Sequence, residues 1–214
     1  MLKFIVLLCL SLSIAHAKSV LVIGDSHAVG PFGWEFDRLV RQQGGISRVA
    51  TYASCGSIAQ WWVTGHKTPC GYWERSEAGV EVSQPTASTP IFGELLKKHQ
   101  PDIVVVELSG NYQQRSDQFS KDDMRAMVEQ IRESGAQCFW ITTPHTRLYP
   151  ERISRLVSLV HEAVSDYCEV FESHLVTQYP AAGGDGIHYW FPAGIPIAKA
   201  WADAAVEKIF KRSR

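Results

Sequence analysis

The hydrophobic run that follows Lys18 in this 214-residue sequence leads into a glycine, an aspartate and a serine, within VLVIGDSHAVG. Gly24 and Asp25 indicate a sharp turn, which would place the hydroxyl of Ser26 at the carboxyl end of a strand and beside the start of a helix. Backbone N–H groups and the helix dipole at this place stabilise negative charge on the hydroxyl oxygen, so Ser26 could act as a nucleophile. Gly-Asp-Ser alone is also a common turn, and it indicates catalysis only if partners are found.

Suitable partners occur near the other end of the chain, in GGDGIHYWFP. Asp185 and His188 are three residues apart, just ahead of the last predicted helix. One short loop could then carry both a general base and the carboxylate that fixes its tautomer. Taken alone, an Asp-x-x-His sequence would more often be a solvated loop.

Two further segments could stabilise a negative charge that develops on a substrate. The hydrophobic run in VVVELSGNYQ is followed by Asn111, whose neutral side-chain amide suits an oxyanion-hole donor. Gly56 follows the second run, in ASCGSIA, where a glycine would let its N–H approach a substrate closely. On its own, Gly56 would be interpreted as a simple turn glycine.

Five short β-rich runs must position these groups: Ser19–Ile23, Arg48–Ala53, Ile103–Leu108, Gln137–Thr142 and Glu169–Glu172. Segments with helical spacing lie between them, and one of these, over residues 124–131, follows the cap candidate Ser120 and precedes Gly135, which would end the helix. Alternating strands and helices predict parallel βαβ units, in which ligands gather at the carboxyl ends of the strands.

The interval between the second and third predicted strands is too long for one βαβ unit. Its surplus, residues 55–89, contains several tryptophans and shows no clean period, so it predicts an ordered loop insertion over the functional edge of the sheet. Trp61, Trp62 and Trp73 could stack on sugar rings or could pack their own loop, and both interpretations stay open. His145 and Arg147 follow the fourth strand and could contact substrate, although solvated loop residues are the commoner case.

The N-terminal residues 1–17 have the pattern of a secretory signal peptide. Lys3 precedes an apolar run, and Ala15-His16-Ala17 resembles a cleavage site. A membrane anchor is the alternative, but the run falls short of the ~20 residues that span a bilayer. We therefore expect a periplasmic or secreted protein without stable membrane insertion. The sequence has no basic block, so we expect no nucleic-acid partner.

Four segments of this sequence occur in the order of the four signature blocks of the SGNH/GDSL hydrolases: Gly24-Asp25-Ser26, Gly56, Asn111 and Asp185-x-x-His188. The chain resembles that family over almost all of residues 18–214. The length of the chain favours one domain, and the resemblance implies a flavodoxin-like three-layer α/β/α fold with a five-stranded parallel sheet. It also implies that Ser26 is the nucleophile, that His188 is its base, and that Asp185 completes the triad. Ser26 N–H, Gly56 N–H and the Asn111 amide would form the oxyanion hole, without a cofactor or metal.

Two residues depart from the family pattern. His27 stands where the GDSL name has leucine, and Tyr112 follows Asn111 where many relatives carry aspartate. The sequence Gly-Asp-Ser-His-Ala also resembles the corresponding segment of SGNH domains that are associated with acyl-group editing of bacterial surface polysaccharides. An α/β-hydrolase is disfavoured, since the sequence has no G-x-S-x-G elbow.

We expect an exported serine esterase that hydrolyses an ester, an O-acetyl group above all, on a carbohydrate or peptidoglycan-type substrate. The alternatives are a lipid esterase or lysophospholipase, a periplasmic polysaccharide O-acetyltransferase and, from a different class, a degenerate sugar-binding module.

Four cysteines remain after residue 17, an even number in a protein predicted to leave the reducing cytosol. We predict one disulfide between Cys55 and Cys70 within the insertion. We predict a second between Cys138 and Cys168, because their strands are neighbours in a flavodoxin-like order. A metal site is disfavoured, because the sequence has no C-x-x-C or H-x-x-x-H spacing.

Overall fold

The computed structural model describes residues 17–211, so the predicted signal peptide lies outside the described residues except for Ala17. The strands are β1 (Lys18–Gly24), β2 (Ile46–Ser54), β3 (Tyr72–Arg75), β4 (Glu81–Gln84), β5 (Ile103–Glu107), β6 (Gln137–Ile141) and β7 (Cys168–Phe171). They form one seven-stranded sheet in the order β4-β3-β2-β1-β5-β6-β7. β2, β1, β5, β6 and β7 are parallel, and this order of five strands is the flavodoxin-like one.

The prediction of a five-stranded sheet was incomplete, because the insertion adds two antiparallel strands. β3 pairs with β2, and β4 pairs with β3, so the hairpin widens the sheet beyond β2. The two strands have four residues each, too few for an alternating pattern to stand out in the sequence. A turn closed by the Ser76 N–H to Val80 O hydrogen bond joins them, and Gly79 supplies its positive φ of 81°.

Within residues 17–211, seven α-helices complete the layers: α1 (Ser26–Val29), α2 (Pro31–Arg41), α3 (Ala59–Thr64), α4 (Phe92–His99), α5 (Asp117–Ser134), α6 (Ile153–Val164) and α7 (Ile195–Phe210). Apolar residues of α2 and α7 pack on one face of the sheet, and those of α3 to α6 pack on the other. Strand β1 serves both layers, since Leu21 and Ile23 face one core while Val20 and Val22 face the other. Such two-sided burial explains the nearly continuous hydrophobic runs.

The predicted start of α5 was wrong by one turn. Ser116 is the N-cap and its hydroxyl accepts from the N–H of Phe119, whereas Ser120 is buried inside the helix and donates to Ser116 O at 2.8 Å. The helix ends where predicted, at Gly135 with φ 76°.

Both predicted disulfides are present. Cys55 and Cys70 join the end of β2 to the segment before β3, and Cys138 and Cys168 lie opposite each other on β6 and β7. The first bridge holds the insertion against the strand that precedes Gly56. Within residues 17–211, no helix is both long enough and apolar enough to cross a membrane.

Candidate active site

The turn after β1 places Ser26 as the first residue of α1. The carboxylate of Asp25 caps this helix by accepting from the N–H of His27 at 3.0 Å. The turn requires Gly24, because a Cβ there would lie 2.3 Å from the Cβ of Ala28. Ser26 is largely buried at 7% exposure, so its hydroxyl is presented at the carboxyl edge of the sheet in a fixed position.

The loop before α7 is folded around Asp185. One oxygen of its carboxylate accepts from the backbone N–H groups of Ile187 at 2.9 Å and His188 at 2.7 Å. The Tyr179 hydroxyl donates to the carbonyl of His188 at 3.1 Å and accepts from the N–H of Gly186 at 3.0 Å. The local sequence Asp-x-x-His therefore builds its own turn and orients the imidazole.

The structure brings the three predicted residues into one line of contacts. His188 Nε2 lies 2.9 Å from Ser26 Oγ, and His188 Nδ1 lies 2.6 Å from Asp185 Oδ2. This is the geometry of a nucleophile, a base and a residue that orients the base. Burial opposes ionisation of Asp185, but the hydrogen bonds from the ring and N–H of His188 and from the N–H of Ile187 prevail and lower its pKa to about 2. Asp185 is therefore a carboxylate at neutral pH.

Asn111 lies in a short 3-10 helix, Gly110–Tyr112, directly after the loop that ends β5. Its amide nitrogen is 3.1 Å from Asp25 Oδ2 and 3.0 Å from Ser57 O. Tyr112 fixes this segment, because its hydroxyl donates to Asp123 at 2.6 Å and accepts from the N–H of Ala59 at 2.9 Å. Tyr112, at 1% exposure, is thus a buried anchor for Asn111.

Gly56 has the positive φ, 80°, that its turn requires. The carbonyl of the next residue, Ser57, is the one that contacts Asn111, so the Gly56 turn and the Asn111 segment adjoin. Gly56 itself does not line the cavity beside Ser26. A Cβ on it would lie 3.4 Å from the ring of Trp61.

A cavity of about 90 Å³ lies beside Ser26 and His188. Asn111, Gln113 and Thr143 contribute polar groups to its wall, and its apolar lining comes from Ile153, Leu156 and Ile187. Pockets for drug-sized ligands have ~300–1,000 Å³, so this one accommodates only a small group.

His27 behaves as a neutral packing residue. Its ring lies edge-on to Trp201, with centroids 5.6 Å apart, and 5.4 Å from the ring of His188. Burial, and to a lesser extent the nearby His188, lowers its pKa to about 3. His27 is therefore an uncharged imidazole packed beside His188.

Two buried acids lie beside the Ser26 turn: Asp25, which was predicted only as part of that turn, and Glu107, which was not predicted. Asp25 and Glu107 are each 1% exposed, and Glu107 Oε2 lies 3.4 Å from the backbone nitrogen of Asp25. Burial raises the pKa of Asp25 to about 6, and burial together with Asp25 raises the pKa of Glu107 well above its usual range. In the sequence, Glu107 is only the polar end of a hydrophobic run.

The predicted aromatic contacts are only partly available to a substrate. Trp62 and Trp73 are core residues, at 0% and 4% exposure, so of the two interpretations left open for them packing holds and sugar stacking does not. Trp62 belongs to the core on one face of the sheet, and Trp73 packs with Ala28 and Ala53. Trp61 is half-buried and stacks on His66, with ring centroids 4.0 Å apart.

His145 lies outside the cavity beside Ser26, in a separate groove with Arg147. One nitrogen of its ring accepts from the N–H of Tyr179 at 3.2 Å.

Trp190 was not predicted, yet it is 44% exposed and its ring is 4.5 Å from that of His188. Its position two residues after His188 was the available signal.

Among residues 17–211, no group of three or more His, Cys, Asp or Glu side chains could hold a metal ion.

No family model and no curated protein matches the sequence. Solved structures do match. A family 3 carbohydrate esterase of Clostridium thermocellum has a TM-score of 0.59 and 14% identity, with 91% of this chain and 98% of that chain covered. The psychrotrophic esterase EstA of Pseudoalteromonas sp., in a structure inhibited by monoethylphosphonate, has a TM-score of 0.58 and 13% identity, covering 89% and 97%. A candidate SGNH hydrolase from Slackia heliotrinireducens has a TM-score of 0.53 and 16% identity, covering 88% and 99%. Identities this low bear on the fold alone.

Proposed function

We propose that this chain, which has the fold of the SGNH/GDSL hydrolases, is a serine esterase with Ser26 as nucleophile, His188 as base and Asp185 orienting that base. The observation that carries the proposal is the unbroken line of contacts from Ser26 Oγ through the imidazole to Asp185, at 2.9 Å and 2.6 Å. A degenerate sugar-binding module would have no need of this alignment.

The reaction would take two steps. His188 accepts the Ser26 proton while the hydroxyl oxygen attacks the ester carbonyl, and the alcohol leaves after His188 returns the proton to it. Water, deprotonated by the same imidazole, then attacks the acyl carbon. The bond from that carbon to Ser26 Oγ breaks, His188 returns the proton to Ser26, and the acid leaves. Ionised Asp185 stabilises the imidazolium that forms in each step.

The oxyanion would be held by the N–H groups of Ser26 and Gly56 and by the amide of Asn111. The two acceptors already present at the Asn111 nitrogen match its two N–H groups, so the oxyanion must share or displace one of them. The carbonyl of Ser57 is the weaker competitor, because it carries no charge.

For the substrate, we propose a short acyl ester, an O-acetyl group above all, on a carbohydrate or peptidoglycan-type polymer. The small cavity beside Ser26 favours acetyl over a long acyl chain. Trp190 offers an exposed aromatic face beside His188, of the kind that packs on sugar rings. The similarity in fold to a carbohydrate esterase is consistent with this class.

We also propose that the protein is exported to the periplasm or secreted. Two disulfides suit an oxidising compartment, and they agree with the signal-peptide pattern of residues 1–17.

Hydrolysis of p-nitrophenyl acetate and p-nitrophenyl octanoate, followed by acetate release from a panel of acetylated polysaccharides, tests the proposal. We expect faster turnover of the acetyl ester and loss of that turnover in Ser26→Ala, while the exposed control Ser83→Ala keeps it. Octanoate as the better substrate would favour a lipid esterase. Acetyl transfer to an added acceptor sugar, in place of acetate release, would favour the transferase.

A further inference from the structure

The mechanism above does not use the buried acid pair next to Ser26. Asp25 follows β1 and Glu107 ends β5, and these neighbouring strands bring the two side chains together. The N–H of Asp25 donates to the carbonyl of Glu107 at 3.1 Å and lies 3.4 Å from its carboxyl oxygen Oε2. Two buried acids this close, without a lysine or arginine partner among residues 17–211, do not both ionise, so one of them holds a proton.

The other contacts of Asp25 lead to the proposed oxyanion hole. Its Oδ1 accepts from the N–H of His27, and its Oδ2 accepts from the amide nitrogen of Asn111. The second partner of that nitrogen is the carbonyl of Ser57. A carboxylate and a carbonyl only accept hydrogen bonds, so the NH₂ end of the Asn111 amide must face them.

The orientation of this amide matters, because its two ends have nearly the same shape and opposite polarity. With NH₂ towards Asp25 and Ser57, Asn111 presents donors. After a half-turn it would present a carbonyl oxygen, which repels an oxyanion. The protein therefore needs a fixed acceptor beside Asn111.

We propose that Asp25 is a positioning residue that fixes the donor orientation of the Asn111 amide, and that Glu107 holds Asp25 in place through the proton shared between their carboxyl groups. The inference rests on the proposed function, since it takes Asn111 to be an oxyanion donor. Asp25 also lines the cavity beside Ser26, but in this role it acts through Asn111.

Buried polar atoms near Asp25 and Glu107 lack hydrogen-bond partners, which supports a functional role for the two acids. Among the described residues, Glu107 Oε1 and the nearby Ser109 Oγ are buried atoms without a hydrogen-bond partner. Buried polar groups are usually satisfied, and an apolar residue at position 107 would suit the strand better. Retaining an acid there agrees with a role at the adjacent site.

A double-mutant cycle between Asp25 and Asn111 tests the inference, with kcat and KM measured on p-nitrophenyl acetate. Asp25→Asn replaces one acceptor by an amide that can also donate, so we expect kcat to fall by ~10-fold or more with KM within about threefold, approaching the loss of one oxyanion donor. In the Asn111→Ala background, the same change should alter kcat by less than about threefold. Equal losses in both backgrounds would show that Asp25 acts independently of Asn111 and would overturn the proposal.

Variants of Glu107 and a matched buried aspartate separate positioning from general stability. Glu107→Gln still offers an N–H to Asp25, so it should keep more of the turnover than Glu107→Ala; equal losses would contradict the role of the shared hydrogen. Asp37, 0% exposed and paired with arginines, provides the control. Asp37→Asn should lower the melting temperature without lowering kcat, and a fall in kcat matching that of Asp25→Asn would count against positioning.

A spectroscopic readout distinguishes failure of this inference from failure of the proposed function. If the wild type shows no Ser26-dependent hydrolysis, the proposed function fails, and with it the catalytic purpose of the contact. The contact itself is then tested by the NMR signals of the Asn111 side-chain NH₂, identified as the pair lost in Asn111→Ala. These signals should exchange slowly and should shift in Asp25→Asn, whereas unchanged signals would overturn the positioning contact.

Discussion

Two aspartates of this fold, Asp37 and Asp25, are almost completely buried, and their surroundings differ. Asp37, on α2, accepts from Arg41 at 2.8 Å, from Arg75 at 2.9 Å and from Thr51 at 2.7 Å. Within residues 17–211, Asp25 has no lysine or arginine partner, and its neighbours are a second acid and the amide of Asn111.

The difference follows from the cost of burying charge. A buried carboxylate is tolerated when opposite charges and hydrogen bonds compensate it, as they do for Asp37. An uncompensated acid shifts its pKa, and such shifts cluster at functional sites. We therefore interpret Asp37 as part of the scaffold that joins α2, β2 and β3, and Asp25 as part of the chemistry. The comparison predicts that variants on the two sides separate turnover from stability.

The largest effect is expected at the proposed triad. Ser26→Ala and His188→Ala should each lower kcat by ~10³-fold or more, because each removes a member of one proton-transfer unit. The melting temperature should change little, since neither side chain holds elements of the fold together. Kinetics with p-nitrophenyl acetate and thermal unfolding check both statements, and turnover that survives Ser26→Ala would refute the serine mechanism.

On the scaffold side, Asp37→Ala leaves Arg41 and Arg75 without their buried counter-charge. We expect the free energy of unfolding to fall by about 3–5 kcal/mol, the usual loss when one partner of a buried ion pair is removed. The kcat of the folded fraction should be unchanged. Urea denaturation measures the loss against Asp203→Ala, an exposed aspartate on α7. A stable Asp37→Ala with impaired kcat would reverse the comparison.

On the site side, Asn111→Ala should lower kcat by ~10²–10³-fold, the typical loss for one oxyanion donor. Tyr112 and its contacts with Asp123 and Ala59 remain, so the segment should keep its position. Single-turnover kinetics would place the loss in acyl-enzyme formation. A change in KM alone would indicate that Asn111 binds the substrate and does not stabilise the oxyanion.

The sequence predicted the groups whose position depends on local geometry. Ser26 follows a strand directly, and Asp185 and His188 lie on one turn, so their placement needed only the strand order. Glu107 was missed, because only the pairing of β1 with β5 brings it to Asp25. Its place at the end of VVVE gives no sign of that neighbour.

In the insertion, too, the sequence did not reveal a feature that depends on strand pairing, namely which aromatic side chains are buried. Trp61, Trp62 and Trp73 belong to one aromatic segment, and composition does not reveal which of them is buried. Trp62 points into the core from α3, and Trp73 is covered because β3 pairs with β2. That pairing depends on a hairpin of two four-residue strands, which carry too little periodicity to be predicted. Exposure in such a segment is decided by tertiary contacts.

The smallest expected effect is a pH-dependent stabilisation by Glu107→Gln. Burial raises the pKa of Asp25 to about 6 and that of Glu107 well above its usual range, whereas unfolded carboxyls titrate near ~4. The folded state therefore binds more protons than the unfolded state above pH ~4, and the stability due to these groups falls as the pH rises through the folded pKa values.

Glutamine at position 107 needs no proton to remain neutral, so the variant should lose less of its free energy of unfolding than the wild type as the pH rises. Its free energy of unfolding should exceed that of the wild type by about 1 kcal/mol at pH 8, which is the typical magnitude of the stability change on a single substitution. The difference should vanish near pH 4. Urea denaturation at several pH values measures it. Asp37→Asn, with its arginines in place, should be less stable than the wild type throughout pH 5–8. A stability difference for Glu107→Gln that did not grow with pH would show that Glu107 is ionised in the folded protein, and Asp25 would then lie beside a second charge and not beside a proton donor.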